Sequence, residues 1–210
     1  VVTIANNHIH DDGADGVATT QTLCTAAGLA VVGPQLQPHF LPTDNGTVAF
    51  IAADLSQPQP APLGEIAAAV SAAKHNSAWV VVSFHTAGPA LYRPSAVLRS
   101  AADRVLAAGA SIVVAHGSHT VAPVERRAEA VVAWGLGNLV FNCDCSIETE
   151  GMLLRVELTA GQPIRASVIP LQAGVAGASA VVYGPEGASF ALFAAMGGAT
   201  LQVDAGLGSF

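Results

Sequence analysis

Short apolar runs recur along this chain and alternate with segments of helical character, and that alternation restricts its fold more than any other feature. Ala78-Trp79-Val80-Val81-Val82 and Ser111-Ile112-Val113-Val114-Ala115 have the length and β-branched content of buried strands. Leu63 to Lys74 reads as a helix, and so does Ser95 to Ala108, which is entered after Pro94 and stopped by Gly109. Asp15 to Ala27 reads as a third helix, with Gly28 as its stop signal. Val1 to Ala5, Leu29 to Val32 and Thr47 to Ala53 read as further strands. Gln35 to Asn45 holds Pro38 and Pro42 and predicts a loop or an edge. Beyond His119 the pattern changes to consecutive strands, at Ala130–Trp134, Leu139–Phe141, Gly151–Leu158 and Ile164–Leu171. Alternating elements followed by consecutive strands predict a layered α/β or α+β architecture. Residues 172–210, rich in Gly and Ala, read as an extension packed on a domain of residues 1–171, with Phe190–Met196 as a last short helix.

The run lengths also settle what the composition means. Hydrophobic residues make up 51% of the 210 positions and charged residues only 11%, against roughly 25% charged in an average soluble domain. Mean hydropathy is +0.50. Yet every stretch of about 18 residues, the length a spanning helix needs, is broken by Gly, Pro, His or charge. The apolar content excludes intrinsic disorder. A net charge of −7 with eight Lys plus Arg leaves no basic stripe to neutralise phosphates, so nucleic acid is not an expected partner. Three cysteines (Cys24, Cys143, Cys145) do not make a disulfide framework, and Cys143-Asp144-Cys145 is a poor match to zinc or thioredoxin motifs. The first residues read as a strand rather than a signal peptide or anchor, and the compartment stays open between cytoplasmic and membrane-associated or extracytoplasmic.

The polar residues that remain collect at strand ends. Of seven histidines, His8, His85, His116 and His119 all follow expected strands. In open α/β sheets ligands bind outside the carboxyl ends of the strands, and imidazoles gathered there can hold a divalent metal or shuttle protons near neutral pH. Asn6, Asn7 and Asp11 add oxygen donors around His8, although Asp11-Asp12-Gly13 is also ordinary turn chemistry. His10 would point away from His8 in an extended segment. His39 lies in a Pro-bounded loop, and His75 sits at a helix end where a cation is favourable. Asn138 reads as a turn former, and Glu148-Thr149-Glu150-Gly151 as a solvated turn.

Five boxes in order resemble the CapA family of capsule and poly-γ-glutamate biosynthesis proteins. They are Ala5-Asn6-Asn7-His8 with Asp11 and Gly13; Val81-Val82-Ser83-Phe84-His85; Ala108-Gly109-Ala110 with Val113 to His119; Pro123-Val124-Glu125; and Gly135-Leu136-Gly137-Asn138-Leu139-Val140-Phe141. The resemblance implies a calcineurin-like metallophosphoesterase fold, a four-layer α/β/β/α sandwich, here lacking its first strands. It implies that Asn7, His85, His116 and His119 hold divalent metal (Mn, Zn or Fe), one ion or two, and that His8 moves a proton, with Asp11 and His119 as further catalytic candidates. Metals in such a site lower the pKa of a bound water and stabilise charge on the transferred group. Expected partners are a small-molecule, polymer or peptide substrate and membrane-associated synthases. The chain departs from the pattern in two places. Gly117-Ser118 separates His116 from His119, and Thr86-Ala87-Gly88 follows His85. The aspartates of earlier boxes would lie ahead of Val1. Two alternatives therefore stand beside metal-assisted hydrolysis. One is metal-independent epimerisation of a peptide Cα, as in a lasso-peptide epimerase of similar fold, and the other is a non-catalytic scaffold.

Overall fold

A computed structural model describes residues 1–58, 60–87, 92–141, 150–175, 181–182, 202–204 and 207–209. The expected helix at Phe190–Met196, the Cys143–Cys145 loop and residues Glu148 and Thr149 lie outside them. The chain is a mixed α/β protein that clusters into two compact units. The first comprises Val1–Ala87 and Ala96–Val113, and the second the remainder.

The first unit is built on parallel pairing. Strands β1 (Val2–Thr3) and β2 (Val31–Val32) form a small parallel sheet, joined through helix α1 (Gly13–Ala26). Strand β3 (His39–Leu41) pairs antiparallel with β4 (Val48–Asp54), and β4 pairs parallel with β5 (Trp79–His85) in a register that runs from Val48 opposite Trp79 to Asp54 opposite His85. Helices α2 (Leu63–Lys74) and α3 (Ala96–Ala107) complete the unit, with α2 packed on α3, β4 and β5. The buried face of α2 carries Ile66, Val70 and Ala73, and that of α3 carries Leu98, Ala101, Ala102 and Val105. Both sets follow the three-to-four-residue spacing of one helix stripe. The strands are buried on both faces, as parallel strands beneath helices must be. Ile51, Ala52, Val80, Val82 and Phe84 are inaccessible or nearly so. Ala5, Val32 and Ala52 form a separate small cluster with Phe50.

Strand β6 (Ile112–His116) begins in the first unit and ends in the second. In the second unit β7 (Val121–Arg127) and β8 (Ala130–Leu136) form an antiparallel hairpin, and β10 (Glu150–Glu157) pairs antiparallel with β11 (Arg165–Gln172) over eight residues. Strand β9 (Val140–Phe141) pairs parallel with β12 (Gly174–Val175). Strand β13 (Val181–Val182) pairs with β11, and β14 (Gln202–Asp204) with β15 (Leu207–Ser209). These last short strands lie in the Gly/Ala-rich stretch, where two or three residues are too few for periodicity to register.

Most expected elements agree with the structure within a residue or two. The expected edge between Gln35 and Asn45 is β3. Strand β7 was not expected. It contains Pro123 and ends in Glu125-Arg126-Arg127, which obscure any alternation. It is an edge strand, where a missing backbone donor is tolerated. The Glu150–Gly151 end of the expected solvated turn is instead the start of β10. Glu150 is half-buried, one carboxylate oxygen has no partner among the described residues, and burial raises its pKa. Among the described residues no helix is long and apolar enough to cross a membrane.

Two glycines set how closely chains approach in the second unit. Gly137 and Gly151 bridge each other. A Cβ on Gly151 would strike the carbonyl of Asn138 and come within 2.7 Å of Leu171 Cδ1. Gly64, near the start of α2, has nothing within 4 Å of a Cβ. Gly151→Ala is expected to cost about 1–3 kcal/mol through overpacking, whereas Gly64→Ala is neutral or gains up to about 1 kcal/mol from helix propensity. Denaturant unfolding of both variants checks this, and a Gly151→Ala protein as stable as the wild type would contradict the close approach.

Candidate functional site

The Asn6–Asp12 segment is a chain of turns and not an extended strand. Ile9 N–H donates to the carbonyl of Asn6, Asp11 N–H to that of His8, and Gly13 N–H to that of His10. Asn6 starts the turn by accepting the His8 N–H on Oδ1 at 2.9 Å, the local side-chain chemistry that favours Asn in turns. The expectation that His10 opposes His8 in an extended segment therefore does not apply.

This turn brings Asn7 to the end of β5. His85 Nε2 donates to Asn7 Oδ1 at 3.0 Å, across 78 residues of sequence. His85 itself is buried, at 7% exposure. His8 and Asp11 form a second pair, with Nδ1 donating to Asp11 Oδ2 at 2.9 Å, and both side chains are largely exposed at 74% and 67%. The structure thus joins Asn7 to His85 and His8 to Asp11 within the first unit.

Asp54 is the residue the sequence reading missed. It ends β4 in register with His85 at the end of β5, so the strand-end rule that picks out His85 picks out Asp54 as well. Its carboxylate is fully engaged. Oδ1 accepts from Ser56 N–H at 2.9 Å and Ser56 Oγ at 2.5 Å, and Oδ2 accepts from Gln57 Nε2 at 2.7 Å. Gln57 Nε2 also reaches the carbonyl of Asn6 at 3.4 Å. One side-chain amide thus ties the end of β4 to the turn that carries Asn7 and His8. Burial opposes ionisation of Asp54, but the Ser56 and Gln57 hydrogen bonds and the nearby His85 outweigh it and hold the carboxyl below its ordinary value.

In the second unit His116 ends β6, half-buried, and His119 lies in the following turn. His119 Nδ1 donates to Asn138 Oδ1 at 2.9 Å, and its ring lies 4.4 Å from that of Phe141. Asn138 is 8% exposed and serves as a partner to His119, which a turn former need not do. His119 has φ +59°, a left-handed conformation uncommon outside glycine. The ring contact and the hydrogen bond hold the side chain of this strained residue in one place. Of the histidines set aside, His39 lies on β3, and His75 caps α2 by donating from Nδ1 to the Ser71 carbonyl at 2.7 Å.

The donor chemistry can be tested against a divalent ion. Metal bonds of about 2.1 Å to imidazole nitrogen or oxygen place neighbouring ligands about 3 Å apart at right angles, which is the spacing of Asn7 Oδ1 and His85 Nε2. In the structure this spacing is a hydrogen bond with the proton on Nε2, so metal binding at that nitrogen requires the His85 proton to move to Nδ1. His119 and Asn138 have the same spacing. Among the described residues no three of His, Cys, Asp and Glu gather as a metal-binding group. The fit therefore extends no further than one nitrogen–oxygen donor pair in each unit, each pair at hydrogen-bond distance.

The lowered Asp54 pKa carries a pH dependence of definite sign. Its contribution to stability is full above the unfolded aspartate value and is lost as pH falls through the lower folded value. Asp54→Ala should lower stability at neutral pH and flatten its loss in acid. Urea unfolding from about pH 7 to about pH 2 checks this, and identical acid profiles for variant and wild type would refute it.

Residues 1–143 match the family described as bacterial capsule synthesis protein PGA_cap. Over 193 residues the chain is 26% identical to the capsule biosynthesis protein CapA of Bacillus anthracis, with 81% of this chain and 47% of that protein covered. The chain therefore spans about half the length of that relative. A hypothetical protein from Thermus thermophilus has a similar fold, with TM-score 0.50, 13% identity, and coverage of 87% of this chain and 75% of that one. With more than half its residues matched in order, the chain belongs to the bacterial capsule synthesis family PGA_cap.

Proposed function

We propose that this protein acts in the synthesis or processing of a capsule or poly-γ-glutamate-type polymer, by metal-assisted hydrolysis or transfer at a phosphoryl or related bond. The proposal includes a four-layer sandwich of the metallophosphoesterase type. The observation that carries it is the contact between Asn7 and His85, an oxygen and a nitrogen donor held together by residues 78 positions apart. These two would hold a divalent ion. His116 and His119 are the further ligands that the family resemblance assigns. When bound, such an ion lowers the pKa of a coordinated water and stabilises charge on the transferred group.

The chain's own groups supply the rest. Gln57, held by Asp54, ties the turn that presents Asn7 to the end of β4, which favours the meeting of the carboxamide with His85. The Asp11 carboxylate keeps the His8 proton on Nδ1, which leaves Nε2 to exchange a proton with the leaving group. The exposure of that pair supports a second reading, metal-independent proton transfer at a peptide Cα.

Calorimetric titration of the purified protein with Mn²⁺, coupled to hydrolysis of a chromogenic phosphodiester, separates the readings. Expected are metal binding, activity abolished by a chelator, and Asn7→Ala and His85→Ala variants weakened in metal affinity or activity by more than about 10-fold, the least that loss of an outer-shell partner costs. No metal binding by the wild type would overturn the metallohydrolase reading. Chelator-resistant deuterium exchange at a peptide Cα that is lost in His8→Ala would establish the epimerase in its place. Function in capsule assembly that survives both His8→Ala and His85→Ala would establish the scaffold.

A further inference from the structure

The first unit contains an open groove of about 460 Å³, distinct in its lining from the Asn7–His85 cluster. That volume lies within the range of small-molecule sites. One side is formed by Gln35 and Gln37, in the segment that leads into β3, and by Phe40 on β3; the other by Ala69 and Ala72 of α2, with Asn76 just beyond the helix. Ala69 and Ala72 are three residues apart, so they lie on one stripe of α2. Small side chains on that stripe leave the groove open, and Asn76, beyond the helix end, is exposed and donates from Nδ2 to the Ala72 carbonyl at 3.5 Å.

The lining chemistry narrows the ligand. Three carboxamides, each both donor and acceptor, border an apolar floor. Gln37 is exposed and its side chain has no hydrogen-bond partner among the described residues. Among the described residues the Gln35 side chain is met only by Gln21, at 3.5 Å. Phe40, although aromatic, is 37% exposed. Among the described residues no charged side chain lines the groove, and the protein carries a net charge of −7. A polyanion would find no counter-charge here and an unfavourable field around it.

We infer that this groove binds a neutral, acetamido-bearing saccharide. The apolar face of a sugar ring would lie on Phe40. The amide of an acetamido group would pair with Gln35, Gln37 or Asn76, and its methyl would occupy the floor formed by Ala69 and Ala72. The choice of a saccharide rests on the reading of the chain as a polymer-synthesis protein. The absence of charge selects a neutral segment over a polyglutamate.

Calorimetry with tri-N-acetylchitotriose, maltotriose and poly-γ-glutamate tests the groove. Expected are binding of the acetylated trisaccharide, weaker binding of maltotriose, and no competition from polyglutamate. Phe40→Ala and Gln37→Ala should each weaken binding by about 3- to 10-fold, the loss of one stacking or hydrogen-bond contact, with unchanged circular dichroism. Gln37 is exposed and unpartnered, so its variant keeps the test valid if Phe40→Ala is unstable. His85→Ala should bind the saccharide as the wild type does, which separates a failure here from a failure of the metal reading. No binding by the wild type, wild-type affinity in both groove variants, or displacement by polyglutamate would overturn the assignment.

Discussion

The register of β4 against β5 is the constraint on which the first unit's chemistry depends. Parallel strands in register end at the same level, so Asp54 and His85 emerge side by side. A shift of one residue would turn every side chain of one strand to the opposite face. The register is held by the burial of Ile51, Ala52, Val80, Val82 and Phe84, which admit no polar replacement without cost. The polar residues at the strand ends are therefore placed by apolar residues several positions away. A third participant, the turn carrying Asn7, is brought to them by side-chain hydrogen bonds from Gln57 and His85.

The second unit solves a similar problem by a different route. Strand ends do not by themselves position His119, which takes a left-handed backbone conformation. Its placement depends on Asn138, which in turn sits where Gly137 and Gly151 let two backbones approach more closely than side chains allow. Asn138 N–H donates to the Glu150 carbonyl at this crossing, so the crossing and the histidine's partner are one structure.

Much of the layout was legible in the sequence, because apolar runs bounded by Gly and Pro are strong signals. Helix α2 has its expected limits, and β5 and β6 end in the histidines that the strand-end argument singled out. Other features were hidden for identifiable reasons. Pro123 and the Glu125–Arg127 charges masked β7, since a strand at a sheet edge need not alternate cleanly. Asp54 looked like an ordinary strand terminus, because its significance depends on which residue lies beside it across the sheet. The pairing of Asn138 with His119 depends on a backbone turn with positive φ, and non-glycine residues in that conformation carry no sequence signature. Gln57 sits in a Pro-rich loop, and only the fold reveals that its amide spans two separate segments.

Helix α1 follows directly on the asparagine turn, yet of its fourteen residues only Val17 is buried, and Asp12 makes no side-chain cap at its start. Leu23 projects at 65% exposure. A helix held by so little apolar contact belongs to the low end of a protein's local stability range. The turn before it is tied instead to β4 and β5. Opening of α1 can therefore proceed while Asn7 stays against His85, so the site's geometry is insulated from the thermal fraying of the element next to it in sequence.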